Sequence, residues 1–275
     1  MIKDIVVNLN VGATASPASD FAISVAAAFN AHLTGITFLH NPVVPVSSVG
    51  HVPAEVVVAQ QDYQAAIRAV RERFAAASAR AGVTANPLTL SASLVGVGEQ
   101  FGQIARRFDL AIVGQAEPET DAVDRIVVEA VLFDSGRPVI CVPYIQKAPL
   151  KLDRVMVCWD GGRAAARAIG DAMPLLQRAG RVEVVIVTNE RGKQDQIEGA
   201  DIGTHLARHE LNVEVKRIPL GDIDVAAMLL SHAADEGVDF IVMGGYGHSR
   251  LREFLLGGVT RSILRSMTAP VLMSH

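Results

Sequence analysis

The chain is poor in features that mark several large classes of protein. Aromatic residues make up 5% of its 275 positions, with a single tryptophan, and there are two cysteines, Cys141 and Cys158. Two thiols cannot build a disulfide scaffold, and their spacing matches no metal-binding pattern. Both sit in apolar runs and read as small core side chains. No uncharged apolar run reaches the ~18 residues needed to span a membrane. The longest clusters, such as Val155 to Trp159, have the length of a strand, so no membrane partner is expected. The opening residues Met1-Ile2-Lys3-Asp4 meet an acid too early for a secretory signal, which points to the cytoplasm. Positive charge is not in excess either. Ten basic residues face thirteen acidic ones up to Leu150, and fifteen face sixteen beyond it. Neither half carries the basic footprint of a non-specific nucleic-acid binder.

What remains is an ordinary globular composition, half hydrophobic and one fifth charged, with 23 glycines and 12 prolines. That excludes disordered and low-complexity classes. At about 100–200 residues per domain, the length allows one large unit or two small ones.

An internal repeat decides between them. Asp4-Ile-Val-Val-Asn-Leu-Asn10 aligns with Asp153-Arg-Val-Met-Val-Cys-Trp159, and Asp109-Leu-Ala-Ile-Val-Gly114 with Asp239-Phe-Ile-Val-Met-Gly244. Arg137-Pro-Val-Ile140 aligns with Ala269-Pro-Val-Leu272, in the same order. Within each half, strand-length apolar runs alternate with helix-length amphipathic ones, the pattern of βαβ units around a parallel sheet. The spacing predicts strands near 4–9, 34–39, 87–91, 110–114 and 138–142, then near 153–158, 182–187, 213–218, 239–243 and 270–274. Helices are expected near 17–31, 54–81, 99–107 and 121–134, then near 163–179, 196–210, 223–236 and 251–267. The fold class is therefore α/β, two repeated five-stranded parallel-sheet domains with helices on both faces. Pro143 and Pro149 interrupt the pattern, which sets the expected domains at 1–146 and 147–275. The first half carries an extra proline-interrupted apolar segment over residues 41–53.

Ligands of open parallel sheets sit beyond the carboxyl ends of the strands, where strand order reverses. In the second half those positions are rich in glycine. The first strand runs into Asp160-Gly161-Gly162, and the fourth into Gly244-Gly245-Tyr246-Gly247-His248. Gly257-Gly258-Val259-Thr260 then precedes an apolar helix. Glycines there permit tight turns and expose amide N–H groups at a helix start, an arrangement that favours an anion such as phosphate. Thr260 adds a hydroxyl donor, Arg250, Arg252 and Arg261 add positive charge, and Asp160 can accept hydrogen bonds from a ribose or a base. His205 and His209, four residues apart on a predicted helix, lack a third ligand nearby and read as helix surface.

From Gly244 to Thr260 the sequence is Gly-x2-Gly-x9-Gly-x2-Thr, followed by a Pro-Val-Leu strand. This resembles the nucleotide-binding signature of the universal stress protein family. With Asp160 after the first strand and the duplicated layout, the whole chain is similar to a tandem member of that family, with an adenine-nucleotide α-hydrolase-like fold. The resemblance implies that Asp160 and Val187 face the adenine or its ribose, and that Gly244, Gly247, Gly257, Gly258, Val259 and Thr260 line the phosphates. It implies ATP, with or without Mg2+, in the second domain alone. It also implies last strands that pair as an intrachain pseudo-dimer, with further homodimerisation left open. Gly258 departs from the pattern, which usually has Ser, Thr or Asn there. The first half departs further: Gly114-Gln115-Ala116-Glu117-Pro118-Glu119 replaces the glycine loop, and Asn10 stands in place of Asp160. Two acids and a proline repel and misfit a phosphate.

The function expected is a stress-response protein that binds ATP or a related nucleotide in its second domain and signals to an unidentified protein partner. The alternatives are a nucleotide-free tandem scaffold for a partner or apolar ligand, and a slow ATP hydrolase. The sequence offers no catalytic residue and no metal ligand set, so at most slow hydrolysis is expected.

Overall fold

The computed structural model describes residues 1–11, 16–40, 54–93, 96–116, 122–188, 201–221, 223–245 and 258–275. The first half runs β1 (Asp4–Asn8), α1 (Pro17–Phe29), β2 (His32–His40), α2 (Ala54–Arg80), β3 (Ala85–Ala92), α3 (Val97–Ala105), β4 (Leu110–Gly114), α4 (Ala122–Asp134) and β5 (Val139–Val142). The second runs β6 (Arg154–Cys158), α5 (Arg163–Leu176), β7 (Arg181–Thr188), α6 (Ile202–Ala207), β8 (Val213–Pro219), α7 (Val225–Asp235), β9 (Phe240–Gly244), α8 (Gly258–Ser266) and β10 (Val271–Ser274).

The strands form one sheet in the order β3-β2-β1-β4-β5-β10-β9-β6-β7-β8, so each half repeats the same internal order outward from the β5–β10 seam. Neighbours are parallel except at that seam, where β5 and β10 run antiparallel with Ile140 opposite Leu272. The seam satisfies two edges that would otherwise be open to pairing with another chain. It also turns the carboxyl ends of the two halves toward opposite edges of the sheet.

Strands buried on both faces must be apolar at successive positions, and β4, β5, β9 and β10 are. Alternate side chains feed two cores. Val155, Val157 and Leu272 pack with α1 and α5 on one face. Met156, Ile241 and Met273 pack with α3, α4, α7 and α8 on the other. Helix ends follow local chemistry. Pro17 opens α1, and Asn30 closes it in the left-handed region at φ 48°. The Asp224 carboxylate caps α7 by accepting from the amides of Ala226 and Ala227.

The repeated aspartates have one shared task. Asp109 Oδ2 accepts from the Lys3 and Asp4 amides, and Asp239 Oδ2 accepts from the Arg154 amide. Each ties the entry of an inner strand to the first strand of its half. The helix expected over 196–210 appears as α6, capped at Asp201, and the one expected over 251–267 as α8; residues 196–200 and 251–257 lie outside the described residues.

Candidate functional site

In the second half β6 and β9 end at the same level, and β7 runs on beside them to Thr188. Cys158 of β6 lies opposite Val185 of β7 and Met243 of β9, and the Trp159 amide continues the ladder to the Val185 carbonyl. Asp160, Val187 and Gly244 therefore share the carboxyl edge of β6, β7 and β9. Met156 belongs to the core beneath α7 and α8, and Cys158 and Val187 pack against that same core.

The Asp160-Gly161-Gly162 turn follows from its residues. Gly161 adopts φ 74°, a left-handed conformation that glycine takes without strain. Asp160 Oδ1 accepts from the Gly162 amide at 2.8 Å. A β-carbon on Gly162 would stand 2.9 Å from that same carboxylate oxygen. The turn thus needs a glycine at 161, a β-carbon at 162 would press on the Asp160 carboxylate, and the turn holds that exposed carboxylate at the strand end.

Gly244 is fixed by a closer contact. A β-carbon on it would lie 2.5 Å from the Ala165 amide nitrogen and 2.7 Å from the Ala164 carbonyl carbon. The end of β9 thereby meets the first turn of α5 backbone to backbone. At the corresponding Gly114 of β4, the nearest atoms would be 3.8 Å away, on Ala18 and Asn10. That is ordinary contact, so the first half lacks the close approach. Its Asn10 instead accepts from Asn8 Nδ2 at 3.1 Å.

Gly258, Val259 and Thr260 form the first turn of α8. Among the described residues nothing lies within 4 Å of the position a Gly258 β-carbon would occupy. Val259 is exposed, while Thr260 is buried at 3% exposure. Gly247 and Gly257 lie outside the described residues, as do His248, Arg250 and Arg252. Arg261 is exposed on α8. Burial pushes the Cys158 thiol up to about 12, with the Asp160 carboxylate adding to the shift, so no thiolate nucleophile stands at this edge at neutral pH.

A second polar cluster lies on the same sheet face, nearer the amino end of β7, and was not anticipated. Glu183 is buried in β7, with His232 Nε2 at 2.7 Å and Lys216 Nζ at 3.4 Å from its carboxylate oxygens. Lys216 also reaches Glu236 Oε1 at 2.6 Å, which lowers the Glu236 pKa and raises that of Lys216. Glu183, His232 and Glu236 have the donor types of a metal site. The Lys216 ammonium already provides the cation between the two carboxylates. The sequence signal was there, an isolated Glu between Val182 and Val184, but its partners come from β8 and α7. His205 and His209 bring their rings to 5.0 Å in an edge-on arrangement at the end of α6.

Residues 151–275 match the model of the universal stress protein family (Usp). That segment is a universal stress protein domain. Among curated relatives, universal stress protein MJ0577 of Methanocaldococcus jannaschii is 49% identical over 41 residues, which are 15% of this chain and 25% of that protein. Universal stress protein Slr1230 of Synechocystis is 26% identical over 147 residues, 52% of this chain and 49% of that one. The matched part of the chain thus spans from a quarter to about half of these relatives' length. Across nearly the whole chain, the fold is that of a universal stress protein from Archaeoglobus fulgidus, with a TM-score of 0.72 at 16% identity, covering 98% of this chain and 95% of that one. No helix among the described residues is long and apolar enough to cross a membrane.

Proposed function

We propose that the second half binds ATP or a closely related adenine nucleotide, one per chain, and that the protein works as a nucleotide-responsive binding module in a stress response. In this reading Asp160 and Val187 meet the ribose and adenine. Gly244, Gly247, Gly257, Gly258, Val259 and Thr260 line the phosphates, with Mg2+ accompanying them. The observation that carries it is the bare backbone of Gly258 in the first turn of α8. Helix-start amides and the positive end of a helix favour an anion, and among the described residues no atom lies within 4 Å of the position a Gly258 side chain would take. The family match over 151–275 supplies the context for that chemistry.

The first half is read as a duplicated domain without a nucleotide site. Gly114 makes no close backbone contact, and Asn10 replaces the carboxylate. Its role is then structural, through the antiparallel β5–β10 seam that makes the chain a pseudo-dimer of its own two domains. No residue is assigned to catalysis.

The test is thermal unfolding of the purified protein with and without Mg·ATP, paired with mass spectrometry of small molecules released on denaturation. Saturating nucleotide at 100 times its Kd adds about 2.7 kcal/mol of stability. An upward shift in Tm, or a co-purified adenine nucleotide, supports the proposal. An unchanged Tm together with no released nucleotide rejects it.

A further inference from the structure

Gln115 follows β4 at the position where the second half has Gly245, and it is 4% exposed. Its side chain reaches across the seam. Nε2 donates to the carbonyls of Leu264 and Arg265 at 3.0 Å each, in the last turn of α8. Oε1 accepts from the Tyr144 amide at 3.2 Å, and the Gln115 backbone amide donates to the Val142 carbonyl at 2.7 Å. Both amide hydrogens and the amide oxygen are therefore committed. The last-turn carbonyls of a helix have no partner within the helix and need one from outside. A residue 149 positions earlier in the chain supplies it.

α8 is nine residues long, a rise of about 13 Å. Gln115 holds one end of that short rod, and the other end is the turn at Gly258, Val259 and Thr260. The start of the connection between β9 and α8 rests on the first half too. A β-carbon on Gly245 would stand 2.9 Å from Leu132 Cδ2 of α4. The Gly245 carbonyl accepts from His275 Nδ1 at 3.2 Å, and the His275 ring meets Phe133 of α4 edge-on at 5.2 Å.

We propose that Gln115 of the first half is a positioning residue for the second half's anion cradle, setting nucleotide affinity by fixing the axial placement of α8. This rests on the nucleotide reading above and adds how the site is regulated. The first half, having exchanged its own glycine loop for Gln115, acts on the site of its sibling. A rearrangement of the first half that withdraws Gln115 releases α8 and weakens the site.

The experiment compares three full-length proteins: wild type, Gln115→Glu and Arg178→Ala. Gln115→Glu keeps the acceptor for Tyr144 but turns a carboxylate oxygen toward two carbonyls. Arg178→Ala breaks a different contact across the seam, where the guanidinium sits 4.0 Å over the Phe29 ring and donates to the Ala28 carbonyl. Hydrogen exchange over residues 258–267 reports the tie without ligand, and calorimetry with Mg·ATP reports its consequence. Gln115→Glu is expected to speed exchange in that segment and raise the Kd at least fivefold, the low end of measured coupling between sites, at roughly 5-fold. Arg178→Ala is expected to leave both near wild type. Wild type that binds while Gln115→Glu keeps wild-type exchange and Kd overturns the positioning role alone. An equal loss of affinity in Arg178→Ala reduces it to general weakening of the seam, which also overturns it. Wild type that binds no nucleotide overturns the binding reading and this role with it.

Discussion

Gly244 and Ala165 approach so closely that a β-carbon on the glycine would stand 2.5 Å from the alanine amide nitrogen. The obstacle is main chain, which cannot rotate aside. Gly244→Ala is therefore expected to destabilise the protein by ~3 kcal/mol, the upper range for overpacking a core. The matching change in the first half, Gly114→Ala, has 3.8 Å of clearance. It should fall within ~1 kcal/mol of wild type, toward greater stability, because alanine loses less chain entropy in a strand. Urea denaturation midpoints of the two variants check the contrast.

Asp160 closes a turn, and the proposed nucleotide site gives it a second, separable role. Its Oδ1 accepts from the Gly162 amide, a role an asparagine oxygen can also fill. Asp160→Asn should keep wild-type stability, and Asp160→Ala should lose ~1 kcal/mol, the typical net value of one such hydrogen bond. Both remove the charge that the proposed site would offer to a nucleotide, so both should weaken nucleotide binding. Titrations with Mg·ATP beside melting curves separate the roles.

Lys216 neutralises a carboxylate buried in β7. Lys216→Met should lower Tm at pH 7, because Glu183 and Glu236 then face each other without the ammonium between them. Adding Glu183→Gln should restore at least half of that loss. The pH window follows from the shifts. The Glu236 contribution is present above the ordinary carboxylate value and is lost as pH falls through its lowered value. The Lys216 contribution is present below 10.5 and is lost as pH rises through its raised value. Melting curves of wild type and Lys216→Met should converge toward both extremes.

Burial pushes both cysteine thiols from 9.0 up to about 12. At pH 8 such a thiol is ionised to about one part in ten thousand, so neither should react with Ellman's reagent in the folded chain within minutes. Both should react at once in guanidinium. Well below pH 9 the thiols keep their protons whether the chain is folded or not, and stability does not depend on their titration. Between pH 9 and about 12 only the unfolded chain gives protons up, so stability falls as pH rises.

The fold was legible because its signals are local and repeated. Asp109 and Asp239 open matching apolar strands, and in the structure they make matching hydrogen bonds to the start of β1 and β6. Pro138 and Pro270 mark the two strands that meet at the seam. The site was legible only in part. The glycines after β6 and β9 announced unusual backbone, and Gly161 and Gly244 each have a steric reason. Gln115 was invisible as a contact, because its partners lie 149 and 150 residues away and a lone glutamine after a strand has no periodic pattern. Glu183 was hidden in the same way, read as part of an apolar strand while His232 waited on a helix 49 residues later.

The central claim is one nucleotide per chain, held at the first turn of α8. Isothermal titration of wild type and Gly258→Asp with Mg·ATP tests it most directly, since the variant adds a negative charge where no atom of the described residues is displaced. The account predicts a stoichiometry of one for wild type and a Kd raised at least tenfold in Gly258→Asp, with the variant's Tm without ligand unchanged or higher, as an acid suits a helix start. Two sites per chain, or a variant that binds as tightly as wild type, would contradict it.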